Sequence, residues 1–166
     1  GASVKLIDAL ELLKRPVPDG AVPLRVFLAT GSTALHLETF LAAHLRLCCP
    51  QAGVEIATGL YGDLVGSLER LAPGGWDTVA AVVEWSDLDP RIGLRRLGGW
   101  RVADISNIVA SARATATRLE GALRRLSSVG PVCISFPTLP LPPLFIERPE
   151  QGGVHELALR ETVAAL

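Results

Sequence analysis

The sequence predicts a three-layer α/β/α fold around a parallel sheet of four to five strands. Three observations carry that expectation. Four short apolar runs, at residues 24–29, 54–57, 78–83 and 132–136, are bounded by turn residues and have strand length. Between them, apolar positions recur at a 3.6-residue period over 34–47, 64–71 and 105–126. Strands that alternate with helices need crossover connections, and crossovers place helices on both faces of a parallel sheet.

The elements follow in chain order. Leu6, Ile7, Leu10 and Leu13 recur at helical spacing and stop before Pro16 and Pro18, which gives residues 1–22 as a leading helix and linker and 23–166 as the α/β domain. The first strand carries Val26-Phe27-Leu28-Ala29-Thr30 and ends at Gly31-Ser32-Thr33. A helical stripe of Leu35, Leu37, Phe40, Leu41, His44 and Leu45 follows at once. On that stripe His44 is expected to pack, whereas His36, one residue off it, is expected to be solvated. The last helix is expected at 157–166. Two connections are irregular: 86–103, with Pro90, Gly93, Gly98 and Gly99, and 137–153, with five prolines. Both leave carboxyl ends of strands, where open α/β sheets bind ligands, so they should frame one crevice. The whole reads as a flavodoxin-like topology.

Composition narrows the function classes. A chain of 166 residues with 49% apolar content supports one domain with a substantial core. A formal net charge of −1 gives no general electrostatic basis for binding nucleic acid or an anionic membrane. Arginines cluster at Arg91, Arg95, Arg96 and Arg101 and again at Arg118, Arg124 and Arg125, where local pairing competes with partner binding. Three cysteines, Cys48, Cys49 and Cys133, lack the spacing of a disulfide framework or a zinc site and read as reduced, mostly buried thiols of a cytoplasmic protein. No apolar run has the length of a membrane span, and no signal segment is apparent. The start at Gly1-Ala2-Ser3, without Met, leads to the expectation that the chain is excised from a larger protein.

The strand, Gly31-Ser32-Thr33 and helix resemble the first block of the SGNH (GDSL-type) hydrolases, whose pattern at this junction is Gly-Asp-Ser. Thr58-Gly59-Leu60-Tyr61-Gly62-Asp63 is similar to the second block, in which a glycine supplies an oxyanion-hole amide, and Glu84-Trp85-Ser86-Asp87 stands where the family has Gly-x-Asn-Asp. The resemblance implies catalytic positions at Ser32 and Thr33, and oxyanion or crevice positions at Gly31, Gly62, Ser86 and Asp87. The departures are as informative. Thr33 stands at the nucleophile, Ser32 at the preceding Asp, and Ser86 at the oxyanion Asn. The family's closing Asp-x-x-His is reduced to Gly152-Gly153-Val154-His155, after the fourth strand rather than the fifth. A hydroxyl without a base within reach is a poor nucleophile. His155 is expected to be an exposed residue in the first turn of the last helix.

Val82-Val83-Glu84-Trp85-Ser86-Asp87-Leu88-Asp89-Pro90-Arg91, with Gly93-Leu94-Arg95 and the Gly59 to Leu64 segment, resembles the amino-terminal domain of FkbH-like proteins. That resemblance implies an SGNH-like domain beside a HAD-type phosphatase domain that loads a glyceryl unit onto an acyl carrier protein for polyketide assembly. The Asp-x-Asp-x-Thr motif of the HAD type is absent from the sequence. The expected partners are therefore an acyl carrier protein or a neighbouring HAD-type domain, with no nucleic acid, no membrane and no cofactor. Arg95, Arg96, Trp85 and Trp100 are candidate partner contacts. Glu84, Asp87 and Asp89 could bind a divalent cation through oxygen, but turn and capping roles or pairing with the nearby arginines are the simpler account, and no metal site is assigned. Two functions stay open: a degenerate docking module, or an active esterase or acyltransferase using Ser32 or Thr33 with an unconventional base.

Overall fold

The computed structural model describes residues 4–93, 101–141 and 153–166. In order, these form α1 (Leu6–Lys14), β1 (Val22–Thr30), α2 (Leu35–Cys48), β2 (Ala52–Thr58), α3 (Leu64–Arg70), β3 (Thr78–Val82), α4 (Trp85–Leu88), α5 (Ile105–Ser127), β4 (Val132–Ser135) and α6 (Val154–Ala164). The four strands run parallel in the order β2-β1-β3-β4. Each lies within two residues of the apolar run that predicts it.

Alternation along β1 sorts the two layers. Phe27 and Ala29 join Val79 and Ala81 of β3 in one buried cluster with residues of α3, α4, α5 and α6. Val26 and Leu28 point to the other face and are buried outside that cluster, as are Ala43 of α2 and Ala9 of α1. α2 packs on β2, and α1 packs on α2. The Arg46 guanidinium holds α1 in place by donating to the Leu12, Leu13 and Arg15 carbonyls at 3.2, 3.2 and 2.9 Å, which satisfies acceptors at the helix end. On the opposite face Arg125 does the same for α3, donating to Leu68 and Leu71 carbonyls at 2.8 and 3.0 Å. Arg118 pairs with Glu69 and Arg124 with Glu120, so the second arginine cluster is spent within the fold.

Three expectations are corrected. The thiols are not buried: Cys48, Cys49 and Cys133 are all exposed, the first two at the end of α2 and the third on an edge strand, opposite in parity to the packed Val132 and Ile134. His44 is exposed too, because α2 buries its Ala43 side against the sheet. His155 lies in the first turn of α6 but is half-buried. The connection from 86 is also less irregular than its glycines suggest. It opens with α4 and a 3-10 turn at Pro90–Ile92, where proline stands at a position that needs no N–H donor.

Candidate functional site

β2 and β3 flank β1 on opposite sides, so the chain diverges at the carboxyl end of β1 and opens a switch-point crevice there. Thr30, the last residue of β1, is buried. Its Oγ1 accepts the Ser32 N–H at 3.2 Å and lies 3.1 Å from Ser32 Oγ, so a local hydroxyl turn holds Ser32. Ser32 and Thr33 are both exposed. The Thr33 hydroxyl bonds to no other described residue, and none of His36, His44 and His155 bonds to either hydroxyl.

Gly62 has φ +74°, a left-handed conformation that glycine adopts freely. Its N–H donates to the Gly31 carbonyl at 3.0 Å. The amide that the resemblance assigns to an oxyanion hole is thus spent on tying the β1 and β2 exits together. Ser86 is exposed in α4, where a Cβ on Gly93 would come 2.9 Å from the Ser86 Cβ.

The first turn of α4 joins three strand exits. Asp87 Oδ2 accepts the Glu84 N–H at 2.7 Å, a helix-start contact, while Asp87 Oδ1 lies so close to Gly31 that any Cβ there would overlap it. No described residue donates to Oδ1. Burial pushes the Asp87 carboxyl up to about 6, against the Glu84 N–H, which lowers it, and with the Glu84 charge, which raises it further. Glu84 faces the β4 exit, accepting from Thr138 N–H and Oγ1 at 3.0 and 2.6 Å and from Leu139 N–H at 3.3 Å. Trp85 is buried and its indole N–H donates to the Leu139 carbonyl at 2.8 Å, which makes it a core residue that anchors the same segment. Asp89 is turned elsewhere. It is 2% exposed and receives Arg91 Nε and an Arg91 terminal nitrogen at 2.9 and 2.7 Å.

The three carboxylates therefore do not converge, and among the described residues no group of three or more side chains could hold a metal ion. Arg95, Arg96 and Trp100 lie outside the described residues. Two partners had no signal in the sequence. Thr30 reads as the end of a strand, and Thr138 lies 54 residues from Glu84. No helix among the described residues is long and apolar enough to cross a membrane. Set against known proteins, the chain matches no family profile, no curated protein and no solved structure.

Proposed function

We propose that this chain is a catalytically degenerate SGNH-like module on a flavodoxin-like frame, which docks an acyl carrier protein or a neighbouring HAD-type domain and does not hydrolyse esters. One observation carries the reading: the Ser32 hydroxyl pairs with Thr30 Oγ1 at 3.1 Å and with no imidazole or carboxylate. A second hydroxyl has no basicity near neutral pH, so it cannot draw off the Ser32 proton. The resemblance of Gly59 to Leu64 and of Val82 to Arg95 supports the carrier-protein setting. The crevice rim supports docking, because Leu35, Leu60, Tyr61, Phe136 and Leu139 are exposed and all follow carboxyl ends of strands. Carrier proteins are acidic and present a phosphate, so Arg95 and Arg96 would add charge-assisted contacts.

The test pairs turnover with binding. Hydrolysis of a short-chain p-nitrophenyl ester should be the same for wild type, Ser32→Ala and Thr33→Ala. Affinity for an acyl-loaded carrier protein should fall at least about tenfold on Leu60→Asp with Phe136→Asp, and also on reversal of Arg95 and Arg96 to Glu. Turnover lost in either hydroxyl variant would overturn the proposal, as would unchanged affinity in both surface variants.

One observation favours the second reading, an esterase or acyltransferase with an unconventional base. The raised Asp87 carboxyl, with Oδ1 free of donors, lies against the turn that carries Ser32. On that reading Asp87→Asn would abolish turnover together with Ser32→Ala.

A further inference from the structure

We infer that the outer edge of β2 is a docking site for an extended segment of another protein, which adds a strand beside β2 and carries a basic residue and an aliphatic one two positions apart. The hydrogen-bond pattern leaves that edge open. Val22 N–H donates to the Gln51 carbonyl and Gly59 N–H to the Leu28 carbonyl, each at 3.1 Å. With Val22 in register with Ala52 and Leu28 with Thr58, the odd-numbered residues of β2 turn their backbone groups toward β1. The N–H and C=O of Val54 and Ile56 therefore point outward, and no described residue bonds to them. β2 is an outer strand of the sheet and carries little of the usual protection of an edge. It has seven residues against four in β4, no proline or lysine, and a register to β1 that runs without a bulge.

Charge selects the occupant. Arg25 of β1 is in register with Glu55, and its guanidinium pairs at 3.3 Å with Asp77, just before β3. Asp77, Arg25 and Glu55 thus form a row of alternating sign across one face of the sheet. Glu55 ends the row: it is exposed, and its carboxylate bonds to no described residue. A strand laid along this edge places a side chain about 5 Å from Glu55, where a cation continues the alternation and an anion is repelled. A second copy of the chain fits poorly, because β2 can set only a glycine, a glutamate or an alanine against Glu55. The aliphatic position follows from a groove beside the edge. Val17 and Ala21 of the linker stand over Gly53, and with Pro23, Val54 and Glu55 they border a space of about 260 Å³. Gly53 has no side chain to fill it, and Val17 is left 46% exposed. Gly53 and Glu55 are alternate residues on one face, so the incoming residues that meet them are also two apart.

The site lies on the flank of the sheet, apart from the crevice at the strand ends, and is independent of any docking or hydrolysis there. The test follows amide hydrogen exchange of the full chain by NMR. The probes are acetylated, amidated nonapeptides in which threonine alternates with valine around a central Leu-Thr-Arg or Arg-Thr-Leu, so that both strand directions are sampled, and the same peptides with glutamate for arginine. At saturation an arginine peptide should slow exchange of the Val54 and Ile56 amides at least about tenfold. The glutamate versions should bind at least about tenfold more weakly, through loss of the cross-strand pair and the repulsion that replaces it. Glu55→Arg should reverse that preference. Val54→Pro should abolish binding while β2 keeps its bonds to β1, because the lost N–H faces outward. Unchanged exchange at Val54 and Ile56 with both arginine peptides, or equal affinity for the arginine and glutamate versions, would overturn the proposal. So would a dimer in sedimentation that Val54→Pro dissociates, which would give the edge to a second copy.

Discussion

Asp87 and Asp89 are two residues apart, and their surroundings drive them in opposite directions. Asp89 is buried, and burial acts to raise its carboxyl. Hydrogen bonds and charge from Arg91, with a bond from Ser111, outweigh burial and hold it below the usual carboxylate range. Burial raises Asp87 as well, and there it prevails and takes the carboxyl to about 6, with the Glu84 N–H lowering it, the Glu84 charge adding to the rise and no arginine bonded to it among the described residues. Burial raises both carboxyls, and the arginine partner at Asp89 reverses the sign. The contrast separates structure from site: the Asp89 end of α4 is complete in itself, whereas the Asp87 end leaves a carboxyl oxygen without a donor at the switch-point crevice.

The largest break in this contrast should come at Arg91. Arg91→Ala leaves Asp89 charged and buried without its bidentate partner, and should cost about 3 kcal/mol in denaturant unfolding at neutral pH. A loss below about 1 kcal/mol would mean that water or Ser111 already satisfies Asp89. Gly31→Ala should cost about 2 kcal/mol, since the new Cβ must displace the Asp87 carboxyl. The cost should shrink in the Gly31→Ala, Asp87→Ala double variant, and simple additivity in that cycle would show that the two groups do not press on each other. Thr138→Val should cost about 1 kcal/mol through the lost Glu84 contact, read as the same unfolding shift.

The subtlest readout is a slope. Asp87 has a raised folded-state value, so its contribution to stability is full when it is protonated and is lost as pH climbs from the ordinary carboxylate range through about 6. Asp87→Asn should remove that decline. Asp89 has a lowered folded-state value and contributes in the opposite sense, with stability present above the ordinary carboxylate range and lost as pH falls through its folded value. Identical pH profiles for wild type and Asp87→Asn would contradict the assignment.

Strands and long helices were legible because burial on both faces leaves continuous apolar runs, as at Val26 to Ala29, and one-face burial leaves a helical stripe, as along α5 from Ile108 to Leu126. The stripe on α2 misled at His44 because an edge-lying helix packs a narrow side, and small Ala43 rather than the larger residues marks it. Burial of Cys133 failed for a related reason. β4 lies at the sheet edge, and sequence alternation does not tell which face is covered. At the site, Gly31, Ser32 and Asp87 could be singled out from turn chemistry. Their arrangement could not, because the Gly62 to Gly31 bond, the Glu84 to Thr138 bond and the Asp87 approach to Gly31 all join segments distant in sequence.

Whether the crevice holds an activated hydroxyl is tested most directly by reaction with a fluorophosphonate probe near neutral pH, followed by intact-mass and peptide mapping. With Ser32 held by Thr30 and no base bonded to Ser32 or Thr33, the account predicts no adduct above that of the Ser32→Ala, Thr33→Ala double variant. A stoichiometric adduct on Ser32 or Thr33, lost in Asp87→Asn, would contradict it and make the domain an enzyme.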